Sequence, residues 1–169
     1  MCGDIFTEEI PMISEEMPDD VKMLTLADNA KVEFNENRTC LYGVTPGTTV
    51  DEVRLQFKYP GHILVTDMAP TQLTGDTKIG SGCFLFLIKY NEETQQSEPI
   101  DTTCVIINGD LNGDGAVTAS DAREALRASA KLTELQSPFF LAGDLDGDKS
   151  VTAVEARKIL RVAGKLDQF

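Results

Sequence analysis

Between residues 28 and 107 the apolar positions come in short runs separated by turn residues. "TCLYGV", "HILVTD", "GCFLFLIKY" and "DTTCVIIN" each have the length and the β-branched and aromatic content of a strand. The first two runs are joined by "PGTTVDEVRLQFKYPG", whose pattern switches to helical spacing. There Thr49 followed by Glu52 makes a capping box, Val50, Val53 and Phe57 share a face, and Pro60-Gly61 closes the element. Short strands plus one helix predict a small α+β module.

Beyond residue 107 the pattern changes again. "NGDLNGDGAVTASDAREALRASAKL" (108–132) and "AGDLDGDKSVTAVEARKILRVAGKL" (142–166) are two copies of one unit at an offset of 34 residues. Leu111, Gly113, Asp114, Val117, Thr118, Ala119, Ala122, Arg123, Leu126, Arg127, Lys131 and Leu132 all recur at that offset. Each copy is a glycine-punctuated acidic loop that turns at once into a helix. The linking "TELQSPFFLAG" has room for only a short connecting helix. The predicted organisation is an acidic linker over 1–27, broken by Pro11 and Pro18, then the α+β module over 28–107, then an all-α module over 108–169. Because "TTCVIIN" runs into Gly109-Asp110 without a flexible residue, the last two modules are expected to be rigidly joined.

Charge sharpens this picture. The chain of 169 residues carries a formal net charge of -13, which excludes a basic phosphate-binding surface, and with it nucleic acid, and points to cations. Residues 108–169 account for only -2 of that charge, so two divalent cations would make this part mildly positive. The remainder reads as a solvated acidic surface on the N-terminal part. No run of about 18 apolar residues is present to span a bilayer. The start, "MCGDIFTEEIPMISEEMPDD", lacks the basic and apolar regions of a secretory signal. That leaves either a cytosolic protein or a piece whose signal lies upstream.

Cys2, Cys40, Cys83 and Cys104 have no C-x-x-C spacing, against a zinc or thioredoxin-type site. Cys40 and Cys104 fall in apolar runs where a buried free thiol fits better than a disulfide, and they assign no compartment. His62 is the sole histidine, of a kind more often found at a surface or strand edge than in catalysis. No Ser-His-Asp, Cys-His or paired-carboxylate arrangement is visible in 28–107, so the expectation is a protein that is not an enzyme. Three tyrosines and no tryptophan make a poor aromatic platform for sugars.

The acidic loops carry the chemistry. Calcium takes six to eight oxygens, and a twelve-residue loop supplies them from positions 1, 3, 5, 7, 9 and 12. In the first copy these are Asp110, Asn112, Asp114, the carbonyl of Ala116, Thr118 through a water, and Asp121. In the second they are Asp144, Asp146, Asp148, the carbonyl of Ser150, Thr152 and Glu155. Position 6, where the turn is sharp, is Gly115 in the first loop and Lys149 in the second. Val117 and Val151 at position 8 could pair as a strand bridge between the loops. Without metal the clustered carboxylates repel one another, so two bound calcium ions would be structural. Magnesium, which demands a tight octahedron and keeps its waters, suits such loops less well. The proline and β-branched residues before Asp110 leave no helix entering the first loop, which disfavours an ordinary helix-loop-helix calcium buffer or sensor, the alternative reading.

On these motifs, tandem D-x-[DN]-x-D-x-x-V-x-x-x-[DE] loops each followed by an "ARxxLRxxxKL" helix, residues 109–169 resemble a dockerin. "LYGVTPGTTVDEVRLQF" and "TCVIINGDLNGDG" also resemble the small α+β (X-type) module that precedes some dockerins. The resemblance implies two calcium-binding F-hand (loop-helix) repeats and a non-catalytic adaptor that docks its parent protein onto a cohesin of a scaffoldin. It further implies an extracellular, polysaccharide-degrading setting, with the signal lost upstream. The implied cohesin contacts are Ala119, Ser120, Leu126, Arg127 and Lys131 after the first loop, and Ala153, Val154, Leu160, Arg161 and Lys165 after the second. Lys149 in place of glycine and Glu155 in place of aspartate depart from the family pattern.

Overall fold

The computed structural model describes residues 16–91, 94 and 96–169. Residues 1–15, which hold Cys2 and most of the expected linker, lie outside the described residues. Six strands form one sheet: β1 (Glu33–Phe34), β2 (Cys40–Tyr42), β3 (Ile63–Thr66), β4 (Gln72–Leu73), β5 (Phe84–Asn91) and β6 (Gln96–Val105), in the order β1-β2-β6-β5-β3-β4. β2 runs parallel to β6, with Cys40 opposite Cys104, and every other pairing is antiparallel. The α+β expectation is met.

Alternation along the strands sorts the side chains into two faces. Leu41, Ile63, Val65, Leu85, Leu87 and Val105 point into a core closed by Val50, Val53, Phe57 and Ile79. Val50 and Val53 lie on helix α1 (Val50–Arg54), capped by Thr49 and Glu52 in the capping box that the sequence predicts. The helix stops one turn earlier than its apolar spacing suggests, and Phe57 enters the core through the following turn. The opposite face presents Cys40, Tyr42, Cys104 and Ile106, which pack against Leu141 and Ala142 of the C-terminal module. The two modules therefore share a continuous apolar contact, in line with the absence of a linker between them.

Three expectations are corrected. Residues 16–27 are part of the folded module and not a linker, because Leu24 is buried in the core and Leu26 bridges Phe57. Its backbone is tied in as well: the Leu24 N–H donates to Asp101 Oδ2 (2.7 Å) and the Lys58 N–H to the Thr25 carbonyl (2.9 Å). The acidic side chains of this stretch face water, while Leu24 joins the core and Met17, Val21 and Leu26 pack against it. His62 is buried, not at the surface, with Nδ1 3.2 Å from the Ile88 carbonyl, which it reaches as a donor. Val117 and Val151 form no β-bridge among the described residues. They pack instead into the apolar cluster beneath the two loops.

The C-terminal module consists of α2 (Ala119–Ser129), α3 (Phe139–Gly143) and α4 (Ala153–Ala163). α2 and α4 pack on each other through Ala122, Ala125, Ala156 and Ile159, with Leu111, Leu135 and Leu145 around them. α3 is the short connecting helix expected between the repeats. Among the described residues no helix is long and apolar enough to cross a membrane.

Candidate metal loops and docking face

Each acidic loop is organised by its own side chains. In the first, Asp110 Oδ1 accepts from the Gly113 N–H (2.8 Å) and Oδ2 from the Gly115 N–H (3.2 Å); Asn112 accepts from Asp114 and Asp114 from Ala116, each at 2.9 Å. The second loop repeats the scheme residue for residue, with Gly147 and Lys149 on Asp144 (2.9 and 3.1 Å), Asp148 on Asp146 (3.1 Å) and Ser150 on Asp148 (2.8 Å). These bonds hold positions 1, 3 and 5 on the inside of the turn. The carboxylate oxygens of Asp144, Asp146 and Asp148 lie within 4.8 Å of one another, a spacing that one cation could bridge.

Positions 9 and 12 double as helix caps. Thr118 is the N-cap of α2 and Thr152 that of α4, each in a complete capping box with Asp121 or Glu155. The Thr118 N–H and hydroxyl donate to Asp121 Oδ2 at 2.9 and 2.8 Å, and Asp121 Oδ1 accepts from the Leu111 N–H at 3.0 Å. Glu155 Oε2 accepts from the Thr152 N–H (2.9 Å) and hydroxyl. The end of each loop and the start of each helix are thus one structural event.

The electrostatics favour a cation. Asp110 and Asp121 are fully buried and Glu155 nearly so, and among the described residues no Lys or Arg pairs with any loop carboxylate. Burial pushes the Asp110 carboxyl above its ordinary value and the charge of Asp121 adds to this, against the N–H groups of Ser81, Gly113 and Gly115 that favour its ionised form. Burial also acts to raise Glu155, but the Thr152 hydroxyl and backbone N–H bonds outweigh it and hold that group low. Hard oxygen donors on tight turns, with uncompensated charge, suit calcium. The residues predicted as ligands, Asp110, Asn112, Asp114, Ala116, Thr118 and Asp121, with Asp144, Asp146, Asp148, Ser150, Thr152 and Glu155, are gathered into two such loops.

All ten predicted partner contacts are exposed: Ala119, Ser120, Leu126, Arg127, Lys131, Ala153, Val154, Leu160, Arg161 and Lys165. Between α2 and α4 runs an open groove of about 370 Å³ lined by the repeat-related pairs Ala119/Ala153, Ala122/Ala156, Arg123/Arg157 and Leu126/Leu160. Arg123 and Arg157 were missed as surface candidates. Their recurrence at the 34-residue offset was the signal that could have found them.

Residues 108–161 match the family model of the dockerin type I domain, so the segment that holds both loops and the groove is a dockerin domain. Domains of this family bind calcium and dock onto cohesin modules, and the proteins that carry them are typically secreted components of cellulosomes. No curated protein and no solved structure matches the chain.

Proposed function

We propose that this protein is a non-catalytic, calcium-dependent adaptor whose C-terminal domain docks the parent polypeptide onto a cohesin of a scaffoldin outside the cell, in a polysaccharide-degrading assembly. Two calcium ions, one per loop-helix (F-hand) repeat, hold the domain in shape, and residues 16–107 are the dockerin-associated module. The observation that carries the reading is the exposed, two-fold-repeated face of α2 and α4 directly behind two acidic loops whose carboxylates pair with no Lys or Arg among the described residues. Exposed Leu126, Val154 and Leu160 beside Arg123, Arg127, Arg157 and Arg161 make an apolar centre with a basic rim, a composition that suits protein partners. A helix pair that opens on calcium would need an entering helix at the first loop, where β6 and its extension stand instead.

Calorimetric titration of the metal-free chain, read together with far-UV circular dichroism, tests the calcium part. Two ions per chain and a gain of helix signal are expected, because ligands at positions 1, 3, 5 and 12 converge only in the folded loop. An unchanged helix signal, or no uptake, would remove the claim.

A further inference from the structure

The two loops share the backbone hydrogen bonds accepted at positions 1, 3 and 5 but have different surroundings, and the difference shows what the N-terminal module contributes. Asp110 is fully buried and its Oδ2 accepts a third bond, from the Ser81 N–H at 2.8 Å. Ser81 is itself locked: its hydroxyl accepts from the Ile107 N–H (3.0 Å) and donates to the Ile107 carbonyl (3.2 Å). A second module residue, Gly47, donates its N–H to the Gly115 carbonyl at 2.7 Å.

The contact is backbone on backbone. A Cβ on Gly80 would lie 2.1 Å from the Gly113 carbonyl oxygen, and one on Gly115 would lie 2.3 Å from that of Ile79. In the second loop Gly147, the counterpart of Gly113, has nothing within 4 Å, and Asp144 is only partly buried.

From this we infer that the first calcium site is shared between the modules. Loops 45–48 and 79–82 act as its outer wall, with Ser81 and Gly47 as positioning residues, and calcium binding there is coupled to docking of the N-terminal module. The inference rests on the calcium reading above. Asp110 uses one oxygen for the turn and the other for Gly115 and Ser81, so the module's N–H fixes the position-1 carboxylate before the ion arrives. Gly47 restrains the carbonyl beside the position-7 ligand, Ala116, in the same way. A ligand set held in place loses less freedom on binding. By reciprocity, calcium in the first loop stabilises the loops of the module that hold it, by the same factor. Among the described residues no backbone N–H of the module bonds the second loop; Asp144 acts on Tyr42 of the module only through its charge, and this site is the weakly coupled one.

The test uses the full chain and two-dimensional amide spectra, in which Gly115 and Lys149 report the two loops separately during a calcium titration. Gly80→Ala, which adds only a methyl group at a residue without a left-handed backbone, should weaken the first site by roughly tenfold, within the range usual for coupled sites, and leave the second within about twofold. Gly61→Ala, in open space in the same module, should change neither. In the unaltered chain calcium should slow hydrogen exchange at the Ser81 and Gly47 amides, a readout that does not depend on the variant folding. A first-site affinity unchanged by Gly80→Ala, equal weakening of both sites, or unchanged exchange at Ser81 and Gly47 would overturn the inference. A calcium response at Lys149 without one at Gly115 would overturn it while leaving the domain's calcium binding intact. No response at either amide would overturn both.

Discussion

Lys149 stands at the position where the first loop has Gly115, and its backbone is left-handed, with φ 68° against 76° for the glycine. The loop geometry therefore imposes on a lysine a conformation that costs an L-residue about 1–2 kcal/mol. Lys149→Gly removes that strain and should tighten the second calcium site about fivefold or more; calorimetry on the two chains reads this directly, and identical affinities would count against the argument. Against the strain, the second loop has the larger acidic complement, Asp144, Asp146, Asp148 and Glu155. Lys131 and Lys165 are left-handed too, at φ 57°. Each ends its helix in a Schellman-type closure: the Leu132 N–H donates to the Arg127 carbonyl and the Leu166 N–H to that of Arg161, at 2.9 and 2.8 Å. Both lysines thus project from helix ends where glycine would be the easier residue.

At the scale of elements, α2 and α4 are two copies of one helix that differ where it matters for a partner. Ser120 is matched by Val154 and Glu124 by Lys158, a reversal of charge. The arginines are held differently as a result. Arg127 Nε lies 3.7 Å from Glu124, whereas Arg161 pairs with Asp167 at 3.3 Å beside Lys158, which pairs with the same carboxylate at 3.1 Å. A partner docking in two orientations half a turn apart would meet unlike surfaces. A hydrogen bond contributes about 1 kcal/mol and a buried group left unpaired costs about 1–3, so one orientation should dominate. Arg127→Ala and Arg161→Ala should then weaken cohesin binding unequally, by surface plasmon resonance. Two small, equal losses with collapse only in the double variant would show that both orientations are used.

The repeat was legible because everything that defines a loop-helix unit lies within about twenty consecutive residues. Asp110 to Asp121 and Asp144 to Glu155 align position for position without a gap, and the caps at Thr49, Thr118 and Thr152 are pair signals at a spacing of three residues. What escaped was held by distant contacts. β1 and β4 are two residues long, and β6 begins with the polar residues 96–98 followed by a proline at 99. That proline is tolerated because β2 pairs with β6 only at Cys104 and Val105 and leaves the strand's earlier part as an edge, next to a register shift at Leu87/Ile88. Leu24 was hidden among acids, and Ser81 gives no local sign of the carboxylate it meets 29 residues on.

At the scale of the whole molecule, Phe169 folds back onto the first loop. The ring of Phe169 lies against Gly109, where a Cβ would come within 2.4 Å of it, with Val117 on the same side. The last residue thereby covers the start of the first loop. Phe169 is 47% exposed, so Phe169→Ala should cost only about 1 kcal/mol, a fall of roughly 2–4 °C in Tm for a chain of this size. An unchanged melting curve would mean that the contact contributes nothing.

The central claim is that calcium-loaded loops present a cohesin-binding face, and calorimetry of the full chain against a panel of cohesins, in calcium and again in chelator, tests it most directly. One-to-one binding to at least one cohesin is expected in calcium, with loss in chelator and recovery when calcium is restored. Binding of equal strength in chelator, or a calcium-loaded and fully folded domain that engages no cohesin in the panel, would contradict it.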